Sequence, residues 1–252
     1  MTAPVVAVLE RQLVLFRRLW QASVFSGLVL PVLLLVSIGA GVGGYVGGIG
    51  GVDYLSWIAP GVLAATVFQV GVGESTYPVY SGFRWVRSFH AMAATPVRPA
   101  DMVVGVLGNI VVRAEISVLA FLAVMSVFGA WRSPWAAAAP LICGLVAVAT
   151  AAPITALAAT VEHENYFPLV FRFVMIPSTL FAGVFFPVEQ LPAAVRPLAY
   201  AAPLWHGVEL CRAATLGGAA SWPAAAHAGY LLAWAAAGFA AALYAFRRRL
   251  RD

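Results

Sequence analysis

Residues 135–160 read WAAAAPLICGLVAVATAAPITALAAT, a run without one charged side chain. About twenty apolar residues in helical form cross the hydrocarbon core of a bilayer. Lipid offers no hydrogen-bond partner to backbone N–H and C=O groups, so only a helix or a closed barrel can satisfy them there. The short segments of alternating polarity that barrel strands require are absent from the chain, which leaves the helix.

Similar runs recur on both sides of this one. They predict spans at 22–42, 55–77, 101–128, 135–160, 167–186 and 223–246, an all-α integral membrane protein of six transmembrane helices in one transmembrane domain over 1–252. Of the 252 residues, 62% are hydrophobic and 10% charged. Soluble domains carry about a quarter charged residues, so this surface is not built to face water all round. Residues 4–21 are amphipathic: Val5, Leu9, Leu13, Phe16, Leu19 and Trp20 share one side, with Glu10, Arg11, Arg17, Arg18 and Gln21 on the other. That pattern predicts a helix lying in the membrane interface. Ser37-Ile38-Gly39-Ala40 has the look of a signal-peptide cleavage site. The preceding apolar run is longer than a usual signal core, however, so a retained first span is expected.

All fifteen basic residues are arginine. Without lysine there is no Walker A loop, and Gly41-Val42-Gly43-Gly44-Tyr45-Val46-Gly47-Gly48-Ile49-Gly50-Gly51 reads as an external turn or a close helix contact, not as a phosphate loop. The net charge of +5 is scattered over helix ends, which argues against nucleic acid as a partner. With the N-terminus inside, Arg11, Arg17, Arg18, Arg84, Arg87, Arg98, Arg247, Arg248, Arg249 and Arg251 fall on the cytoplasmic side, against Arg132, Arg196 and Arg212 outside. The positive-inside rule then places both termini in the cytoplasm. Cys143 and Cys211 sit in different contexts, one mid-span and one in a loop, with no metal-ligand or disulfide spacing.

Two stretches depart from simple span-and-turn alternation. The first runs through Tyr54-Leu55-Ser56-Trp57-Ile58-Ala59-Pro60-Gly61 and Glu74-Ser75-Thr76-Tyr77-Pro78-Val79-Tyr80 to Arg84-Trp85-Val86-Arg87-Ser88-Phe89-His90-Ala91-Met92-Ala93-Ala94-Thr95-Pro96-Val97-Arg98-Pro99-Ala100-Asp101. The second contains Gly183-Val184-Phe185-Phe186-Pro187, Leu191-Pro192 and Pro203-Leu204-Trp205-His206-Gly207-Val208-Glu209-Leu210-Cys211-Arg212. Together they resemble the permease subunits of type-2 ABC exporters, most of all the NodJ-like lipooligosaccharide-export branch. The likeness runs over most of the chain.

The resemblance implies an N-terminal interface helix, six spans, a coupling helix between spans 2 and 3 at 82–95, and short external re-entrant helices at 187–217. It also implies a second permease, either another copy or a sister chain, and two separate ABC ATPase subunits. Those subunits would hold ATP and Mg, so this chain would carry no cofactor of its own. Arg84, Trp85, Arg87, Phe89, His90 and Met92 then become the residues expected to couple to the ATPase. The residues support this independently, because a loop that merely reversed direction would be purely polar, whereas aromatic and arginine side chains on a short helix are typical interface anchors. Thr95-Pro96 is expected to stop that helix, and Pro99 with Asp101 to start span 3.

Charges inside the membrane are expensive and need a role. Arg113 lies near mid-depth of span 3, and Glu115, two positions on, faces nearly the opposite way. Arg113 is therefore expected to pair with Glu74 near the inner end of span 2, as a structural lock or beside a substrate headgroup on the pathway. Arg172 is expected to snorkel or to meet Glu162 or Glu164. Glu162-His163-Glu164 is a solvated turn and a poor metal site, since one histidine between two diverging acids lacks further ligands. In the segment 187–217, short helices dipping in from outside would satisfy the interrupted backbone, with Phe186, Pro187, His206, Glu209 and Arg212 forming an external gate. Glu209 and Arg212, three apart, can pair on one helix face.

The function expected is that of the transmembrane subunit of an ATP-driven exporter in a bacterial plasma membrane. It would move an amphipathic or lipid-linked molecule, of lipooligosaccharide or glycolipid type, outward among membrane lipids. A hydrophobic drug or antibiotic efflux permease of the same family fits the apolar pathway equally. A membrane-embedded enzyme would need acids or histidines converging near one interface. An ion-coupled carrier would need broken helices with ionisable residues in both halves. The sequence shows neither pattern.

Overall fold

A computed structural model describes residues 51–218 and 220–251, with scattered positions between 5 and 49. The expected interface helix at 4–21 and first span at 22–42 therefore fall largely outside the described residues. Val8, helical and buried, presses on Gly105, where no larger residue than glycine would fit.

The end of the glycine-rich run forms a two-residue antiparallel hairpin, β1 (Gly48–Ile49) with β2 (Val52–Asp53). Asp53 leads directly into α1 (Tyr54–Ser75), and its Oδ2 accepts the Ser56 N–H at 3.0 Å, capping the helix. α1 is apolar all round and buried on nearly every side, as a central membrane helix should be. It does not end in a loop. Pro78 cannot supply an N–H, so the helix breaks at Ser75–Thr76 and resumes as α2 (Tyr77–Arg84). Ser75 and Thr76 hydroxyls donate back to the Gly71 and Gly73 carbonyls (2.6 and 2.9 Å), satisfying acceptors near the break.

A turn at 85–87 separates α2 from α3 (Ser88–Ala93), so the element expected as one helix over 82–95 is two helices with a hinge. Thr95 closes α3 by donating to the Met92 carbonyl at 2.7 Å. α4 (Pro99–Val127) begins with proline in its first turn, and the Asp101 carboxylate accepts the Arg98 N–H at 2.9 Å. A 3₁₀ turn (Pro134–Ala138) feeds α5 (Ala139–Thr160). Alanines on α5 let its neighbours approach closely. It packs against α1, α4 and the final helix α10 (Ala224–Arg249), and a side chain at Gly238 of α10 would strike the Pro153 ring.

Between α5 and α10 the chain is more broken. A 3₁₀ turn (Glu164–Tyr166) opens α6 (Phe167–Val170), which widens into a π turn (Phe171–Met175) and continues as α7 (Ile176–Phe181). Pro177 withholds the N–H that the Phe173 carbonyl would otherwise accept, and the widening lies just before it. This stretch ends five residues before the expected limit at 186, because Gly183 turns the chain in the left-handed region (φ +76°). A 3₁₀ turn (Val188–Gln190), α8 (Arg196–Ala201) and α9 (Pro203–Leu216) follow. Among the described residues four helical stretches are long and apolar enough to cross a membrane: Tyr54–Arg84, Pro99–Val127, Pro134–Thr160 and Ala224–Arg249.

Candidate functional site: two ends of the bundle and an ion pair between them

One end of the bundle collects α2, α3 and the last turns of α10, and with them Arg84, Arg87, Arg247, Arg248 and Arg249. Phe83 of α2, Phe89 of α3 and Phe246 of α10 interlock with ring centroids 4.7 to 5.1 Å apart. Phe89 is 2% exposed and also covers Gly82. It faces inward, so it holds the element in place instead of offering itself to a partner. The reason is local: Arg87 adopts φ +52°, and the chain changes direction there before α3 begins. Trp85 and Val86, at the hinge, stand out at 58% and 65% exposure. Arg84, Arg87 and His90 are exposed beside them, and Met92 is half-buried against the aromatic cluster. Tyr80 donates to the Glu162 carbonyl at 3.0 Å and packs on Phe167, tying the 162–165 turn to α2. Arg172 is exposed and forms no ion pair with Glu162 or Glu164 among the described residues.

Midway along the bundle, Arg113 Nη1 of α4 lies 2.5 Å from Glu74 Oε2 of α1. Because α1 runs on into α2, Glu74 sits ten residues before Arg84, about 15 Å along the helical path. Arg113 is fourteen residues past Pro99, about 21 Å. The continuation of the helix brings the two depths together. Glu115 points elsewhere, with its carboxylate against Gly144 of α5.

The opposite end is organised by Arg212 of α9. Its Nη1 donates to Glu209 Oε1 (2.9 Å), its Nη2 to the Gly183 carbonyl (2.7 Å) and its Nε to the Trp57 carbonyl (3.4 Å). The guanidinium also lies 3.9 Å over the Trp57 ring. Glu209 Oε2 accepts the Ser221 N–H at 3.0 Å. One side chain thus joins α1, the turn after α7 and α9, as a latch. The half-buried Phe186 and Pro187 follow that turn, and the Tyr54 hydroxyl pins it by donating to the Phe185 carbonyl at 3.0 Å. Arg132 reaches Asp53 Oδ1 at 3.0 Å. Partial burial pushes the Asp53 carboxyl up, but hydrogen bonds from Ser56 and the Arg132 charge hold it below its ordinary value.

Contacts here join residues that sequence spacing did not connect. His206 Nδ1 meets His227 Nδ1 of α10 at 2.9 Å, while His206 Nε2 faces the Tyr200 carbonyl at 3.0 Å. A neutral His206 must therefore carry its proton on Nε2 and accept at Nδ1, which makes His227 the donor. The His206 ring stacks on Tyr230 at 3.9 Å. Cys143 and Cys211 also meet, with sulfurs 3.8 Å apart between α5 and α9. Their separation of 68 positions left no motif to find. Among the described residues no three His, Cys, Asp or Glu side chains are grouped to hold a metal.

Long apolar helices, one end rich in arginine and another closed by short helices and turns define a multi-pass membrane subunit. Residues 4–216 match the ABC-2 type transporter family, and the chain belongs to that family as a transport subunit. It is similar to Nodulation protein J of Rhizobium leguminosarum bv. viciae, 30% identical over 216 residues that cover 84% of this chain and 82% of the relative. It is likewise similar to Nodulation protein J of Rhizobium meliloti strain 1021 (29% over 250 residues, 97% of this chain and 93% of the relative) and of Bradyrhizobium diazoefficiens (30% over 250 residues, with the same coverage). It is a permease of the Nodulation protein J-like kind.

Proposed function

We propose that this chain is the transmembrane subunit of an ATP-driven exporter, moving an amphipathic or lipid-linked molecule of lipooligosaccharide or glycolipid type outward across a bacterial plasma membrane. The observation that carries the reading is the arginine-rich end. Exposed Trp85 and Val86, flanked by Arg84 and Arg87, stand on a hinge braced from behind by the Phe83–Phe89–Phe246 knot. An ABC ATPase docked on Trp85 and Val86 would push against a stiff element joined to α1 through α2 and to α10 through Phe246. The nucleotide and Mg belong to that ATPase. The apolar side chains Leu169, Phe173, Ile176 and Leu180, all exposed along α6–α7, support a second permease or lipid against that stretch.

Trp85→Ala with Val86→Ala removes the outward anchors and leaves the knot intact. The double variant should insert and fold normally yet lose at least about tenfold in affinity for its ABC ATPase partner, because exposed aromatic anchors dominate interface energies. Co-purification and transport-coupled ATP hydrolysis are the readouts. Full coupling by a folded double variant would remove the hinge from the interface.

The arginine-rich end lies in the cytoplasm on this reading, with both termini on that side. After replacement of Cys143 and Cys211, cysteine at Ala193 should react with an impermeant thiol reagent in intact cells. Cysteine at Arg251 should react only after permeabilisation. Labelling of position 251 from outside would invert the topology.

A further inference from the structure

A cavity of about 410 Å³ opens at the arginine-rich end, lined by Phe83 and Arg84 of α2, Arg87 of the hinge, His90 of α3 and Arg249 of α10. Four of these residues lie between positions 83 and 90, and the fifth, Arg249, comes from the far end of the chain. What brings Arg249 round is Phe246, one turn earlier, locked between Phe83 and Phe89. Three guanidiniums are thereby held about one space by an aromatic knot. No acidic side chain lines the cavity, and none of the three arginines forms an ion pair among the described residues. Glu162 lines a smaller neighbouring cavity with Arg248 and Arg249.

Like charges gathered about one cavity repel, and an anion entering it relieves that repulsion. The positive-inside rule accounts for arginines on this side of the membrane, but not for their convergence on one space with a phenyl floor. Arg87 adds a second sign, since a left-handed backbone is unfavourable for a residue with a side chain and persists where the surroundings impose it. Guanidinium forks suit phosphate oxygens, and basic pockets between membrane helices hold lipid headgroups. The cavity is lined by Arg84 and Arg87, which flank Trp85 and Val86 in the chain, and by Arg249, where α10 leaves its apolar stretch for Arg247–Arg249.

We propose that this cavity binds a phosphodiester anion, supplied by the headgroup of an anionic membrane lipid. Arg84, Arg87 and Arg249 hold the phosphate oxygens, and Phe83 covers the glycerol side. The site rests on the functional reading above only for which leaflet supplies the lipid, and it needs no ATPase. Lipid occupancy would brace α10 against α2–α3 and stiffen the surface that the ATPase meets.

The test uses the full-length permease without any ATPase, reconstituted in phosphatidylcholine nanodiscs with and without phosphatidylglycerol. Phosphatidylglycerol should raise the thermal unfolding temperature, and Arg84→Gln with Arg249→Gln should abolish that increment. Removing two charge-assisted contacts should also weaken binding of short-chain phosphatidylglycerol at least about tenfold. Arg251→Gln, outside the cavity, should leave both readouts as in the wild type. In pure phosphatidylcholine the double variant should be at least as stable as the wild type, because it relieves the repulsion. Millimolar inorganic phosphate added to phosphatidylcholine discs separates the sources: an equal increment there would overturn the lipid assignment. Equal responses of the wild type to the two lipids, an undiminished response of the double variant, or failure of that variant to fold in phosphatidylcholine would each overturn the site. Because the ATPase is absent, loss of this effect is distinct from failure of the docking reading, which co-purification reports separately.

Discussion

Arg212→Met should cost roughly 3–5 kcal/mol of stability, the penalty typical of removing one member of a buried ion pair. The side chain is only 14% exposed and serves three acceptors at once. Without it the Glu209 carboxylate keeps, among the described residues, the Ser221 N–H, and the Gly183 and Trp57 carbonyls lose the guanidinium N–H groups. The Trp57 ring loses the cation above it as well. Unfolding of the purified protein, followed by tryptophan fluorescence, should move down by on the order of 10 °C. Glu209→Gln should be milder, since Arg212 retains its carbonyl acceptors and an amide oxygen can still accept. Combining Arg212→Met with Glu209→Gln should recover the part of the loss due to the stranded carboxylate and not the part due to the two carbonyls. An Arg212→Met protein as stable as wild type would show that the latch does not hold α1, the turn at Gly183 and α9 together.

This latch also marks the limit of what the sequence reveals. The i,i+3 pairing of Glu209 with Arg212 is legible because helical geometry dictates it. The reach of Arg212 to Gly183 and Trp57 is not, since those contacts span 29 and 155 positions and depend on how three elements pack. The long spans are legible for a physical reason: lipid forces an unbroken apolar helix, and a charge-free run such as 135–160 has few alternatives. The helix of 77–84 is harder to see. Its polar and aromatic residues resemble a loop, yet Val79, Tyr80 and Phe83 are buried against α4, α5 and α10. Phe89 illustrates the same difficulty. An aromatic beside arginines in a connecting segment reads as an outward anchor, but the backbone turn at Arg87, which composition does not encode, precedes its inward placement. The meetings of His206 with His227 and of Cys143 with Cys211 are likewise products of tertiary packing, between residues too far apart in the chain for spacing to signal them.

Separating Glu74 from Arg113 should have the second large effect, and here the outcome also decides a role. Each side chain is 22% exposed, so the pair is shielded without being sealed from a ligand. Arg113→Met leaves Glu74 without that cation at membrane depth, and Glu74→Gln leaves Arg113 without that acid. Either single change should lower stability, and their combination should be much less harmful than the sum, with a coupling of about 1–3 kcal/mol in a double-mutant cycle. Transport then distinguishes the two readings. A structural lock requires only that α1 and α4 stay together, so the neutral Met/Gln pair should restore export along with folding. Recognition of an anionic headgroup requires the charge itself, so the same protein should fold and export poorly, while Arg113→Lys retains part of the activity as a point charge without the guanidinium fork. The 2.5 Å contact, made possible because α1 continues into α2 and lowers Glu74 to the depth of Arg113, favours the lock. Recovery of both folding and export in the double variant is therefore the expected result. Two single variants indistinguishable from wild type in stability and export would take the pair out of either role.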